Sequence, residues 1–199
     1  VIPHIKLPVN LGIDEIHSDM AKRKNASYLC TLTDNDNFKL IDILTSRSKY
    51  ELSLFFEKCP KEEREAVKYV TIDMWEPYKE LANRYLKNAV VAVDPFHVIE
   101  HLTRDFTKVR IRIMNSLVYR SSGYYLLKSW HKLLDSDRYD LDGEPKFNHV
   151  FKKKLNYGDI KKMVLDLDSE LNKAYFLKER YQRFNKECQS AEAAEKEID

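Results

Sequence analysis

Residues 67–101, which read VKYVTIDMWEPYKELANRYLKNAVVAVDPFHVIEH, decide the fold of this chain. Two short apolar runs, at 70–72 and 90–93, each end at an aspartate, Asp73 and Asp94. Apolar residues at helical spacing fill the segment between the runs. The pattern therefore predicts a strand, a helix and a second strand, with the two strands as parallel neighbours. In such sheets functional side chains gather at the carboxyl ends of the strands, where both aspartates lie.

The residues before this stretch predict three more strands. Residues 9–15, VNLGIDE, form the first strand, which carries Asp14 after an apolar approach. Residues 27–33 and 38–44 form a hairpin, because the turn-forming residues DNDN separate them. SKYE at 48–51 is a capping-box pattern that begins an amphipathic helix. The element order β-β-β-α-β-α-β-α makes the chain an α/β protein with a mixed sheet.

The residues after Pro95 predict helices only. Apolar residues recur every three or four positions from 96 to 117, a second helix covers 124–134, and Asp159 caps a last long helix. The acidic end, 187–199, holds almost no large apolar residue and is expected to fray. We therefore divide the chain into a core at 1–120 and a helical region at 121–199.

Composition narrows the class of protein. The chain has 199 residues, 43% hydrophobic and 33% charged, which is typical of a globular protein with a real core. A net charge of +2 means that any nucleic-acid surface must be a local patch. Three widely spaced cysteines fit a reducing cytoplasm, and no apolar run approaches the roughly 20 residues of a membrane span. A start at Val1 rather than at methionine indicates a piece of a longer protein.

Three aspartates, Asp14, Asp73 and Asp94, end three predicted strands. Carboxylates that converge at one sheet edge are suitable ligands for Mg²⁺ or Mn²⁺, which prefer oxygen. Two such ions activate a water or hydroxyl and stabilise the leaving oxygen in phosphoryl transfer. The alternative for each aspartate is a structural one, since strand-end aspartates also cap helices and shape turns.

A second motif points to different chemistry. Residues 97–101, HVIEH, match the H-x-x-E-H pattern of inverted zinc proteases, with His97 and His101 on one helix face and Glu100 as the base. The pattern is short, and a helix directly after a strand and Asp94 is an unusual setting for it. The alternative is that both histidines pack in or on the helix, with His97 bonded to Asp94.

Basic and aromatic residues could contact nucleic acid. The helix after Asp94 carries one basic face, and Lys152–Lys154 form a further basic cluster. The alternatives are a solvated charged face and, for Tyr124, Tyr125 and Trp130, packing in the core rather than stacking on bases. The basic face consists of Arg104, Lys108, Arg110, Arg112 and Arg120.

The chain resembles the ISL3 family of bacterial insertion-sequence transposases, members of the DDE superfamily. The likeness rests on GIDEIH at 12–17, TIDMW at 71–75 and DPFHV at 94–98, supported by AYFLKERYQRF at 174–184. It implies an RNase H-like core and a DNA transposase that cuts and transfers strands with Mg²⁺ or Mn²⁺. It also implies transposon-end and target DNA as partners, homo-oligomers of the full protein, and a cytoplasmic, nucleoid-associated location.

The resemblance also assigns roles to residues. It implies that Asp14 and Asp73 are the first two catalytic, metal-binding carboxylates, and that Asp94 and His97 form a D-x-x-H motif that assists the site. An alternative gives the second carboxylate to Asp94. The family's third acid, a glutamate beyond a helical insertion, has no matching segment here, so this piece is expected to be inactive alone. A non-catalytic RNase H-like interaction module remains a further alternative.

Overall fold

The structure, a computed structural model, describes residues 6–18, 28–135, 138–188 and 190–198. It divides into two compact units, Val1–Val98 and Ile99–Asp199. The sequence analysis placed the boundary between the core and the helical region after residue 120, at a break between two predicted helices. This domain boundary stays a prediction. No helix in the described ranges has the length and apolar character needed to cross a membrane.

The first unit is built on a five-stranded mixed sheet. Its strand order is β3-β2-β1-β4-β5. β1 and β2 pair antiparallel, as do β2 and β3, whereas β1–β4 and β4–β5 pair parallel. This is the RNase H-like α/β arrangement that the sequence predicted, and the prediction is confirmed. The strands are β1 (Asn10–His17), β2 (Tyr28–Asp34), β3 (Lys39–Leu44), β4 (Tyr69–Ile72) and β5 (Val90–Val93).

Three helices connect the strands of this unit: α1 (Lys49–Lys58), α2 (Lys61–Ala66) and α3 (Glu76–Tyr85). Ser48 begins α1, because its side chain accepts a hydrogen bond from the Glu51 amide. The apolar positions of α1 and α3 recur at helical spacing and are buried against the sheet. The sheet and helices thereby share one hydrophobic core.

A buried polar pair lies inside this core. The thiol of Cys30, on β2, interacts with the phenol of Tyr78, on α3. Burial raises the pKa of the Cys30 thiol to about 12 and also raises the pKa of Tyr78. Cys30 therefore stays protonated at neutral pH, which makes it a packing residue rather than a nucleophile.

The second unit contains helices and one hairpin that the sequence did not predict. β6 and β7 form that antiparallel hairpin in a region for which the sequence predicted helices only. The elements are α4 (Pro95–Ser116), α5 (Ser122–Ser129), a 3₁₀ helix (His131–Leu134), β6 (Lys146–Asn148), β7 (Lys153–Leu155), α6 (Tyr157–Leu165), α7 (Ser169–Glu187) and α8 (Ala191–Ile198). Helix α4 begins in the first unit and ends in the second.

Two further predictions for this unit were wrong. The single long helix expected from Asp159 is two helices, because Asn156 caps α6 and Asp168 caps α7. Asp159 is the reciprocal partner of Asn156 in a capping box, not the cap itself. The acidic end contains the short helix α8, and its fraying stays a prediction.

Two buried cations hold the ends of helices in the second unit. Arg110 donates to the carbonyl of Leu127 over 2.8 Å, and Lys178 donates to the carbonyl of Leu134 over 2.6 Å. Both carbonyls belong to final turns, where the helix leaves its acceptors without partners. The Lys178 Nζ also lies 2.9 Å from the Glu179 carboxylate. These cations are structural parts of the unit.

Candidate metal centre

Asp14, Asp73 and Asp94 lie at the same level of the two parallel ladders. Ile13 pairs with Ile72, and Ile72 pairs with Val93, and each aspartate follows one of these residues. Asp73 and Asp94 come directly after β4 and β5, whereas Asp14 lies inside β1, which continues to His17 in its pairing with β2. The prediction that a strand ends at Asp14 was therefore wrong. Neighbouring strands lie about 4.8 Å apart. The Asp94 amide donates to the Ile72 carbonyl over 2.7 Å, which extends the ladder beyond β5.

Each aspartate is oriented by a backbone amide that follows it. The Oδ1 atom of Asp14 accepts from the Glu15 amide at 2.7 Å. The Oδ1 atom of Asp73 accepts from the Trp75 amide at 2.7 Å, and that of Asp94 from the Phe96 amide at 2.8 Å. Asp73 and Asp94 thereby act as turn residues as well, as the structural alternative proposed. One oxygen of each carboxylate is committed to these bonds, which leaves the other for a further ligand.

His97 faces the first aspartate rather than the third. Its Nε2 atom lies 3.5 Å from Oδ1 of Asp14, and its side chain is 23% exposed. Its backbone amide donates to the Asp94 carbonyl at 3.2 Å. The D-x-x-H segment thus forms the first turn of α4, and the imidazole of His97 lies beside β1. The alternative in which the His97 side chain bonds Asp94 is therefore wrong.

A polar network supports β1 behind the aspartates. Gly12 lies so close to the second strand that a Cβ atom there would meet Thr33 Oγ1 at 2.3 Å and Asn35 Oδ1 at 2.6 Å. The Asn35 amide donates to Asn10 Oδ1 and to Thr71 Oγ1, each at 3.4 Å. These bonds join β1, the β2–β3 turn and β4, and fix the strands that carry Asp14 and Asp73.

Arg47 is a residue near this edge that the sequence reasoning missed. Its guanidinium lies over the rings of Tyr28 and Trp75, 4.3 Å and 4.7 Å from their centroids, and forms an ion pair with Glu15. Glu15 follows Asp14, and Trp75 is two residues after Asp73, so Arg47 links the two acid-bearing segments. Nothing in the sequence pattern signals this, because Arg47 lies in a linker between β3 and α1.

No group of three His, Cys, Asp or Glu side chains that could hold a metal ion occurs in the described ranges. Two of the three glutamates of α7, Glu170 and Glu179, are engaged in ion pairs. Glu170 pairs with Arg112, and Glu179 pairs with Lys178. The carboxylates of Asp14 and Asp73 are hard oxygen donors, the ligand type that Mg²⁺ and Mn²⁺ prefer.

The zinc motif does not assemble among the described residues. His97 is directed to Asp14, as above, while His101 is exposed on α4. No group of three possible metal ligands includes these histidines in the described part of the chain. The structure therefore gives no observation in favour of the zinc-hydrolase alternative.

The basic residues predicted to form one face of α4 differ in their exposure and in their partners. Arg104 is exposed, Lys108 donates to Asp105 at 2.7 Å, and Arg112 forms an ion pair with Glu170. Arg110 is buried and bonded to a carbonyl, and burial lowers the pKa of its guanidinium. The placement of Arg110 on a DNA-facing surface was therefore wrong. Arg120 is exposed but lies beyond the end of α4. Contact of Arg104, Lys108, Arg112 and Arg120 with DNA stays a prediction.

Comparison with known proteins agrees with this geometry. A family model described as "Transposase", that of the ISL3-type DDE transposases, matches residues 11–199. The chain belongs to the ISL3 family of DDE transposases. The resemblance read from GIDEIH, TIDMW and DPFHV is thereby confirmed, although the role of each residue is not settled by membership.

Two curated relatives extend the comparison for this ISL3-family chain. Both are transposases for insertion sequence element IS1557, from Mycobacterium tuberculosis strains CDC 1551 / Oshkosh and ATCC 25618 / H37Rv. Each is 27% identical over 105 residues, which cover 53% of this chain and 23% of the relative. The match therefore covers less than a quarter of the relatives' length, and the activity of a whole protein remains to be proposed.

Proposed function

We propose that this chain supplies the first two acids of a metal-dependent DNA strand-cleaving and strand-transferring centre, with Asp14 and Asp73 as its carboxylate ligands. The observation that carries the proposal is the row of aspartates that directly follows the last paired residues of the β1–β4 and β4–β5 parallel ladders in a transposase-family chain. When bound, Mg²⁺ or Mn²⁺ ions supply the charge that activates water and stabilises the leaving oxygen.

The chain's own residues position these carboxylates. The amides of Glu15 and Trp75 fix one oxygen of each acid and direct the carboxylates along the edge of the sheet. Arg47 joins the two segments through Glu15 and Trp75. Such support matters because ligand geometry must be held within fractions of an ångström before the substrate arrives.

Asp94 and His97 have an assisting role in this proposal. Asp94 begins α4 by accepting the Phe96 amide, and this turn places His97 against Asp14. We assign the second ligand to Asp73 rather than Asp94, because Asp73 follows β4, the direct neighbour of the strand that carries Asp14. DNA is the substrate, and the full protein acts as a homo-oligomer in the bacterial cytoplasm, on the nucleoid. The third acid lies outside the residues of this chain.

The test is Asp73→Asn in the full-length protein. We expect strand cleavage with Mg²⁺ to fall by more than about 100-fold, because loss of a ligand exceeds the effect of losing an outer-shell partner. Transposon-end binding, measured by gel shift, is expected to stay unchanged. Asp94→Asn is the matched comparison: retained cleavage in Asp73→Asn with loss in Asp94→Asn would transfer the ligand role to Asp94. Retained cleavage in both would reject the centre.

A further inference from the structure

One cavity of the second unit has no part in the proposed centre. It measures about 580 Å³, within the range of small-ligand sites, and lies between the β6–β7 hairpin, α5 and the start of α6. Four aromatic side chains line it: Tyr125, Trp130, Phe147 and Tyr157. Trp130 and Tyr157 lie 6.0 Å apart with planes tilted by 52°, so they form two walls rather than one closed stack.

The hairpin beside this cavity is strongly basic. Residues 146–154, KFNHVFKKK, contain four lysines and no acidic residue. All four lysines are exposed, and within the hairpin ladder Lys154 is the cross-strand partner of Phe147. Phe147 is itself 55% exposed. An exposed aromatic ring flanked by cations matches the alternating base and phosphate groups of a single strand.

The turn of this hairpin is held in a fixed shape. The Asn148 Oδ1 atom accepts from the amides of Val150 and Phe151, at 3.0 and 3.3 Å. Lys152 adopts a φ of 52°, in the left-handed region that few non-glycine residues occupy. The lysines at 152–154 are therefore presented by a structured turn rather than by a free loop.

The lining of the cavity contains both acidic and basic side chains. Asp140 and Glu144 contribute carboxylates, and Lys146 and His149 also line the cavity. Carboxylates accept hydrogen bonds from the exocyclic amine of cytosine or adenine. Trp130 Nε1 is a buried donor without a partner among the described residues. The lining thus offers aromatic rings and hydrogen-bonding groups to a base, while the exposed lysines of the hairpin suit phosphates.

We propose that the β6–β7 hairpin and its cavity bind single-stranded DNA, with one unpaired base in the cavity and its flanking phosphates on Lys146 and Lys152–Lys154. The inference rests on the proposed function for its choice of DNA. It assigns to the second unit a strand-holding role that is separate from the metal centre.

The experiment measures binding of the 199-residue chain to a fluorescein-labelled 12-nucleotide oligodeoxycytidylate by anisotropy, across a series of salt concentrations. An abasic 12-mer of equal charge is the comparison ligand. We expect the abasic strand to bind at least about five-fold more weakly, because stacking of one base is lost. Equal binding of the two strands would overturn the base-in-cavity assignment.

Two variants with matched controls locate the site. The triple change Lys152→Gln, Lys153→Gln, Lys154→Gln is expected to weaken binding about ten-fold and to reduce the salt slope by about 2, since single strands give about 0.7 per contact. Lys58→Gln, Lys68→Gln, Lys87→Gln removes three exposed lysines of the first unit and should bind as the parent does. Equal affinity and slope in both triple variants would overturn the proposal.

A second variant and its control test the aromatic residue of the hairpin, Phe147. Phe147→Ser should weaken binding of the base-bearing strand at least about five-fold and leave binding of the abasic strand unchanged. Phe38→Ser, at a 94% exposed position of the β2–β3 turn, is the control and should match the parent. Absence of any binding rejects this inference alone, because the proposed centre is tested separately by cleavage in the full-length protein.

Discussion

At the scale of single residues, the candidate centre depends on a close approach of two strands. Gly12 lies two positions before Asp14, and its missing Cβ leaves room for the side chains of Thr33 and Asn35. Those side chains bond one another at 3.0 Å, and Asn35 reaches Thr71 on β4. Any side chain at position 12 therefore displaces the network that joins β1 to β4.

Gly12→Ala is expected to lower the free energy of unfolding of the first unit by about 1–3 kcal/mol, because overpacking forces neighbouring groups to move. Urea unfolding monitored by circular dichroism measures it. Gly123→Ala is the control, since the nearest atoms there are the flexible ends of Leu117 and Leu167, at 3.1 and 3.3 Å. A similar loss in the two variants would contradict the close-approach argument.

At the scale of elements, buried cations decide how helices of the second unit end. Lys178, 2% exposed on α7, contacts the carbonyl of Leu134 and lies over the rings of Phe106 and Tyr175, 5.7 Å and 5.3 Å from their centroids. It thus joins α7, the 3₁₀ helix and α4 through one ammonium group. Lys178 is therefore a buried structural residue of the second unit rather than a solvated surface charge.

Lys178→Met keeps the length of the side chain but removes the donor. We expect the second unit to lose about 1–3 kcal/mol of unfolding free energy, because the Leu134 carbonyl stays buried without a partner. Lys173→Met, at an exposed position of the same helix, should change stability by no more than about 0.5 kcal/mol. Thermal and urea unfolding of both variants provide the measurement. Equal stability of Lys178→Met and the parent would show that the ammonium contributes no net stabilisation.

At the scale of the whole molecule, the proposed centre needs more ligands than Asp14 and Asp73. In the described ranges no group of three possible metal ligands occurs, and Glu170 and Glu179 of α7 are paired with Arg112 and Lys178. Cation affinity rises with the number of charged ligands and the rigidity of the site. The isolated chain is therefore expected to bind divalent metal weakly.

Mn²⁺ binding, followed by electron paramagnetic resonance, should give a dissociation constant at least about ten-fold weaker for the 199-residue chain than for the full-length protein. The isolated chain should also show no strand cleavage. Cleavage by the isolated chain would place the third acid inside it. In that case Glu170→Gln and Glu179→Gln become the variants to compare.

Local patterns in the sequence predicted the first unit well and the second less well. The strands before Asp73 and Asp94 are recognisable from short apolar runs, because a buried strand needs few residues and ends at a polar one, whereas β1 continues through Asp14 to His17. The β6–β7 hairpin has no such run, since KFN and KKL are polar and mostly exposed. The division of the last helix into α6 and α7 was missed because the cap Asp168 lies within one continuous apolar stripe.

The sequence by itself determined the mixed sheet, the parallel pairing around residues 67–101 and the positions of Asp73 and Asp94 directly after two of its strands, because these follow from hydrophobic period and chain connectivity. Only the tertiary structure decided that His97 turns back to Asp14, that Arg47 lies between Tyr28 and Trp75, and that Arg110 and Lys178 are buried. These contacts join residues distant in the chain, and charge alone does not reveal which of two helix faces packs inward.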